Sequence, residues 1–162
     1  YLVNSVRILS GNDSQFISYN DDSNENASTK ESDAIADIEE KLGVKMPEFY
    51  YRPYGMEFYK YELNDENFYA RIEYEYKDNI LFFYVDKQDA STESNISSLK
   101  GQEKIVDKIN KDGLEIDIKE ITEENDKNAT YMVNWKYEDV VYYLVGKIKL
   151  DELKKIIQYM KF

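Results

Sequence analysis

The chain has 162 residues with 21 Lys and Arg against 33 Asp and Glu, and this net charge of −12 leaves no basic segment suited to a nucleic-acid backbone. It contains neither cysteine nor histidine, which excludes disulfides, thiolate or imidazole zinc sites and nucleophiles activated by histidine. The length fits one domain with one core, and 16 Tyr and 7 Phe favour an antiparallel sheet.

Residues 1–30 are predicted to form an N-terminal stem and an acidic linker ahead of a domain over residues 31–162. Residues 1–9 fit either a helix end or an edge strand, whereas residues 15–19 alternate like a strand. Nine acidic residues and one lysine between Asp13 and Glu40 resist burial. Because the chain begins with Tyr1, we expect a signal or a membrane anchor before it. The apolar runs of the chain itself, such as residues 80–85, are too short to cross a bilayer.

A helix is predicted near residues 34–42. Ser32 or Asp33 can cap it, and Gly43 can end it. Its apolar positions recur at helical spacing: Ile35, Ile38 and Leu42. The next segment holds both prolines of the chain, so we expect it to be extended, with a turn at residues 53–55.

Alternation predicts a series of strands in the middle of the chain. Residues 68–77 alternate between apolar and polar or tyrosine positions, which indicates one buried and one solvated face. Asp78-Asn79 suits a hairpin turn into residues 80–85, an apolar strand that we expect to be central and covered by a helix. Residues 114–118 alternate as a half-buried strand, whereas residues 103–109 fit a helix or a strand. Polar loops are expected at residues 86–101 and 122–130.

The segment VNWKYEDVVYYLVGKIKLDELKKII, residues 133–157, is predicted to close the fold. A strand carrying Trp135 turns at Glu138-Asp139 into residues 140–145, and Gly146 leads to a helix near residues 150–160. The apolar stripe of that helix is Leu150, Leu153, Ile156, Ile157 and Met160. Asp151 and Glu152 fall in its first turn, where acidic side chains favour helix initiation, so they do not indicate acid catalysis.

Three patterns in the sequence are candidates for chemical sites. Two carboxylates could hydrolyse a glycoside without histidine, but no catalytic spacing stands out among 33 acidic residues. A calcium loop at Asp22, Asn24 and Asn26 has Ala27 where glycine is needed and Asp33 where glutamate is usual. Clustered tyrosines can stack on sugars or peptides if their rings are exposed to solvent. The exposure of four tyrosines distinguishes a binding platform from ordinary core packing: Tyr50, Tyr51, Tyr59 and Tyr61.

Four segments of the chain carry a family resemblance: IEEKLGVKMPEFYYRPYGMEFYKYEL (38–63), YEYKDNILFFYV (74–85), EKIVDKI (103–109) and residues 133–157. In this order they resemble an uncharacterised extracytoplasmic domain family of Gram-positive Firmicutes. The resemblance implies a C-terminal domain of single-pass membrane proteins, some similar to anti-sigma factors, with an anchor before Tyr1. It also implies that residues 103–109 are extended. At position 149 this chain has Lys, whereas the family more often has a residue that caps a helix better.

These observations predict an α+β fold: a single domain with a curved antiparallel sheet of five to seven strands, packed by helices near 34–42 and 150–160. We expect a non-catalytic extracytoplasmic sensor or interaction domain of a membrane-anchored, anti-sigma-like regulatory protein, with no catalytic, cofactor or metal residues. Its partner would be a protein or a small wall-derived ligand, and not nucleic acid. The alternative is a module that binds cell-wall glycan or peptide through exposed tyrosines. A histidine-free hydrolase is a third reading.

Overall fold

The computed structural model describes residues 17–18, 31–87, 102–122 and 127–162. These residues form ten strands and two helices. In chain order they are β1 (Ile17–Ser18), α1 (Glu31–Leu42), β2 (Glu48–Phe49), β3 (Glu57–Asn64), β4 (Tyr69–Tyr76), β5 (Asn79–Asp86), β6 (Gln102–Lys111), β7 (Leu114–Thr122), β8 (Thr130–Tyr137), β9 (Val140–Gly146), α2 (Leu150–Gln158) and β10 (Met160–Lys161).

The strands form one large antiparallel sheet in the order β1-β3-β4-β5-β9-β8-β7-β6, and β10 pairs with β2 in a separate two-stranded sheet. Seven strands of the large sheet are long, and β1 is a two-residue strand that pairs with β3. The predicted α+β class and the upper end of the predicted strand number are confirmed. Residues 102–111 form a strand, as the family resemblance implied.

Two-residue turns with left-handed backbone connect three of the hairpins, β4–β5, β6–β7 and β8–β9. Lys77–Asp78, Asp112–Gly113 and Glu138–Asp139 all have positive φ, the conformation that matches the twist of antiparallel strands. The turn at Glu138–Asp139 is confirmed. The predicted turn at Asp78-Asn79 is wrong by one residue, because Asn79 already pairs with Tyr76 as the first residue of β5.

Helix α1 begins at Glu31, so the predicted caps Ser32 and Asp33 lie inside its first turn. A carboxylate is favourable there next to the exposed amides of the helix. Glu31 is also held from outside, because Arg52 donates to both its carboxylate oxygens at 2.7 and 2.6 Å. Gly43, with φ of +63°, ends the helix as predicted.

The main core lies on the face of the sheet that both helices cover. Helix α1 contributes Ala34, Ile38 and Leu42, and α2 contributes Leu153, Ile156 and Ile157. The apolar strand β5 is central, between β4 and β9, and its Leu81, Phe83 and Val85 pack in this core. Met160, predicted as part of the helical stripe, lies past the end of α2 in β10, where it pairs with Phe49.

The prediction of one solvated face for residues 68–77 is wrong. In β4, Tyr69, Arg71 and Glu73 are buried although they alternate with the core positions, and Phe68 lies exposed in the preceding turn with φ of +52°. Their face carries a second apolar cluster: Tyr69, Ile80, Phe82, Tyr84, Ile121, Met132, Tyr143 and Val145.

Gly146 does not interrupt the sheet, because it pairs with Tyr131 at the end of β9. A Cβ there would lie 3.2 Å from the Ile80 carbonyl oxygen and from Leu81 Cα, and it would clash with Leu81 Cδ2, so the close approach of β5 favours glycine. At the start of α2, Lys149 makes no side-chain capping bond, in line with its predicted departure from the family. The predictions for residues 1–16, 19–30, 88–101 and 123–126 lie outside the described residues.

Candidate functional site

A groove of about 580 Å³ opens where the β6–β7 turn, the end of β8 and β10 meet. We call it the Trp135 groove. It is lined by Lys111, Asp112, Leu114, Ile116, Trp135, Lys136, Tyr137, Met160, Lys161 and Phe162. The sole tryptophan of the chain therefore lies on the wall of an accessible cleft as well as in the main core.

The β6–β7 hairpin forms one side of the groove. Asp112–Gly113 provides the two left-handed positions of its turn, so Lys111 pairs directly with Leu114. Lys111 Nζ donates to the Gln158 carbonyl oxygen at 2.9 Å, which ties the hairpin to the end of α2. This bond also satisfies a terminal helix carbonyl.

Aromatic rings form the opposite wall. The Tyr137 and Phe162 rings stack with centroids 4.0 Å apart, and Phe162 contacts the Tyr142 ring edge-on at 5.2 Å. Tyr142 in turn stacks on Trp135 at 5.7 Å. Because Tyr142 Oη also donates to the Lys45 carbonyl oxygen at 2.5 Å, the wall is continuous with the packed core and should be rigid.

The indole of Trp135 is 4% exposed, and its Nε1 donates to no acceptor among the described residues. Buried tryptophan N–H groups ordinarily have a partner. Leaving such a donor unpaired costs roughly 1–3 kcal/mol. This is an unusual feature for a side chain with a purely structural role.

Lysine side chains dominate the rim of the groove. Three ammonium groups, those of Lys111, Lys136 and Lys161, accompany one carboxylate, that of Asp112, among the lining residues. Lys136 Nζ is 3.7 Å from the carboxylate of the exposed Asp139, and Lys161 Nζ lies 4.5 Å from the centre of the Tyr50 ring. The groove is thus locally cationic in a chain whose net charge is −12.

The four tyrosines whose exposure distinguishes a binding platform from core packing lie partly on the surface and partly in the core. Tyr50 and Tyr59 are 63% and 44% exposed, whereas Tyr61 is buried and donates to Asp37 at 2.9 Å. Tyr51 is half-buried. Its hydroxyl donates to the Glu152 carboxylate, and this bond, with a smaller effect of burial, raises the pKa of Tyr51. Exposed rings also occur at Tyr54 and Tyr159.

A second polar cluster lies on the other face of the sheet. Arg71 Nη2 is 2.6 Å from Glu62 Oε2 and 3.6 Å from Glu73 Oε2, and Lys60 Nζ is 3.5 Å from Glu73. We call these four residues the Arg71 cluster. Burial raises the pKa of Glu73, although attraction to Arg71 and Lys60 opposes this. Ion pairing therefore explains why the Glu62 and Glu73 carboxylates lie here, and no catalytic role is needed.

Among the described residues, no group of three or more acidic side chains is arranged to hold a metal ion. Most of the calcium-loop pattern, from Asp22 to Ala27, lies outside these residues, and Asp33 belongs to α1. A second, shallower cleft of about 420 Å³ lies near the start of α2 and includes Lys149. Within the described part of the chain, no helix is long and apolar enough to span a membrane.

Sequence reasoning did not identify the Trp135 groove. One local signal was available, because Asp112-Gly113 between two alternating segments is a strong indication of a hairpin. The pairing of Met160–Lys161 with β2, which brings the last residues beside β8, has no comparable signal.

Fold and groove together define a small α+β domain with a solvent-accessible cleft at the end of an antiparallel sheet. The family model described as "Domain of unknown function (DUF4367)" matches residues 46–160, and the chain belongs to this family. The match runs from before β2 to the start of β10 and includes most of the groove. Comparison with curated proteins and with solved structures found no match. The predicted membership of a family of unknown function is confirmed.

Proposed function

We propose that this chain is a non-catalytic sensor or interaction domain that a membrane anchor holds outside the cytoplasm, in a regulatory bacterial protein similar to anti-sigma factors. The Trp135 groove carries the proposal. It presents apolar and cationic groups to solvent at one end of the sheet, whereas the charged groups of the Arg71 cluster are paired with one another. The location and the regulatory role rest on the resemblance of residues 38–63 and 133–157.

Recognition of cell-wall glycan or peptide through tyrosine rings is a second candidate. Tyr50 and Tyr54 are 63% and 99% exposed, and the backbone N–H of Tyr50 bonds to the Tyr159 carbonyl oxygen. Amphipathic rings that stand in solvent are suited to stacking on sugars. Lys161, over the Tyr50 ring, connects this tyrosine surface to the groove.

Thermal unfolding in the presence of wall-derived glycans, muropeptides and small acids tests the proposal. A ligand that binds only the native state, at about 100 times its dissociation constant, adds roughly 2.7 kcal/mol of stability. We expect a saturable rise in the melting temperature with at least one class of ligand. The double variant Tyr50→Ala/Tyr54→Ala should abolish the rise if tyrosines form the platform and leave it intact if the groove does. Flat curves across the whole panel would contradict a small-ligand sensor.

A further inference from the structure

The Trp135 groove has the size, floor and rim of a site for one kind of small molecule. We propose that it binds an organic carboxylate with an aromatic or branched apolar body, of about the size of a capped amino acid. This inference rests on the proposed function of the chain as a recognition domain and specifies the chemistry of its ligand.

The dimensions of the groove favour a small molecule. Ligand pockets in proteins typically enclose roughly 300–1,000 Å³, and the groove encloses about 580 Å³. It is bounded on separate sides by the β6–β7 turn, by β8 and by β10. A compact ligand can contact all three walls at once.

The floor of the groove selects an apolar body. Leu114 stands 44% exposed beside Ile116 and Met160, which are buried. A ring or branched chain placed over Leu114 would remove this side chain from water, and it would meet the stacked rings of Tyr137 and Phe162. Sugars, which present hydroxyl groups on most edges, match this floor less well.

The rim selects a negative charge. The lining residues include three lysines, Lys111, Lys136 and Lys161, and one acidic side chain, that of Asp112. Lys111 Nζ already donates to the Gln158 carbonyl oxygen and lies 3.8 Å from Asp112, so Lys136 and Lys161 are the cations offered to a ligand. The contact of Lys136 with Asp139 is 3.7 Å long and lies in solvent, so a ligand carboxylate can replace it with little loss. Lysine ammonium groups form charge-assisted hydrogen bonds with carboxylates, and these are stronger than neutral ones.

Trp135 contributes ring surface to the groove. It lines the groove and is almost fully buried, and its Nε1 atom is itself buried. The indole therefore offers a ligand apolar ring contact rather than an accessible hydrogen-bond donor.

The test compares two ligands that differ only in charge: N-acetylphenylalanine as the free acid and as its amide. Trp135 is the only tryptophan, so its fluorescence reports occupation of the groove directly, and neither ligand contains an indole. We expect a saturable change in emission with the acid and an affinity weaker by roughly tenfold with the amide. Isothermal titration calorimetry should give the same dissociation constants.

Variants of exposed residues locate the site without disturbing the core. Lys136→Gln/Lys161→Gln should weaken binding of the acid by about tenfold or more while leaving the weak binding of the amide unchanged. Leu114→Ala should weaken both ligands. Lys149→Gln is the control, because it removes one positive charge from the second cleft and should change neither affinity.

Equal affinities for acid and amide, an unchanged affinity in the rim variant, or an effect of Lys149→Gln as large as that of the rim variant would overturn the proposal. So would binding restricted to acidic peptides and absent for the capped amino acid. Absence of any response to N-acetylphenylalanine, together with a clear melting shift from wall-derived ligands, would reject this ligand chemistry and leave the sensor function in place. No response in either assay would reject both this ligand chemistry and a small-ligand sensor.

Discussion

Replacing Arg71 by methionine should strongly destabilise the domain. Arg71 is 2% exposed, and its guanidinium lies between the carboxylates of Glu62 and Glu73 while covering the Phe82 ring at 5.4 Å. Removing one partner of a buried ion pair costs about 3–5 kcal/mol, because the opposite charge is left buried without compensation. At roughly 2–4 °C per kcal/mol, the melting temperature should fall by about 6–20 °C.

The loss of unfolding free energy in Arg71→Met should depend on pH, and the burial of Glu73 determines the direction of this dependence. Burial already raises the pKa of Glu73 above its usual value of 4.5, so between that value and the raised one the folded state binds more protons than the unfolded state. The free energy of unfolding therefore rises as the pH falls through this range. Loss of the Arg71 charge raises the pKa of Glu73 further. Arg71→Met should consequently lose more unfolding free energy at pH 8 than at pH 5.

Urea unfolding followed by Trp135 fluorescence measures these free energies at both pH values. Lys60→Met is the matched control, since Lys60 contacts the same two carboxylates but is more exposed, and it should cost less than about 1 kcal/mol. Adding Glu73→Gln to Arg71→Met should recover part of the loss and flatten its pH dependence. An Arg71→Met penalty equal to that of Lys60→Met, or the same at pH 5 and pH 8, would refute the reasoning.

Two further substitutions and one spectroscopic measurement test the packing of the sheet. Gly146→Ala should cost about 1–3 kcal/mol in urea unfolding, because its Cβ would meet Leu81 and the β5 backbone; an unchanged midpoint would contradict that close approach. Tyr142→Phe should cost roughly 1 kcal/mol through loss of its bond to the Lys45 carbonyl, and a neutral result would argue that water replaces the hydroxyl. Trp135 emission should be blue-shifted and resist quenching by iodide, whereas ready quenching would show an exposed indole.

Local patterns were sufficient to predict the elements whose neighbours are adjacent in sequence. Strands β8 and β9 followed from alternation around Glu138-Asp139, and α2 followed from its apolar stripe. The ends of elements were less predictable. In the first turn of α1, the Glu31 side chain accepts hydrogen bonds from Arg52, 21 residues away, and this contact is invisible to a local capping pattern.

The error at β4 has a cause of the same kind. The alternation of residues 68–77 predicts that Arg71 and Glu73 lie on a solvated face. In the sheet, Glu62 on β3 is the direct partner of Arg71 on β4, so opposite charges meet across the strands and are buried together. Predicting this burial requires the register of β3 against β4, which neither strand encodes by itself.

The groove was missed because three distant segments form it, residues 111–116, 135–137 and 160–162. Each segment reads locally as an ordinary turn or strand end. Only the order β8-β7-β6, together with the pairing of β10 with β2, places their lysines around one opening. In a chain with a net charge of −12, the clustering of cations is therefore a property of topology and not of composition.

Structure and function share residues in this groove, and that limits which substitutions are informative. Trp135 and Ile116 belong to the main core, so replacing either would reduce ligand binding simply by loosening the fold. The side chains of Lys136, Lys161 and Leu114 are exposed, and surface changes of this kind usually alter stability by less than about 0.5 kcal/mol. A loss of affinity in rim variants that keep the wild-type urea midpoint can therefore be assigned to recognition. An equal loss of midpoint and affinity would instead indicate that the lysines act by supporting the sheet end.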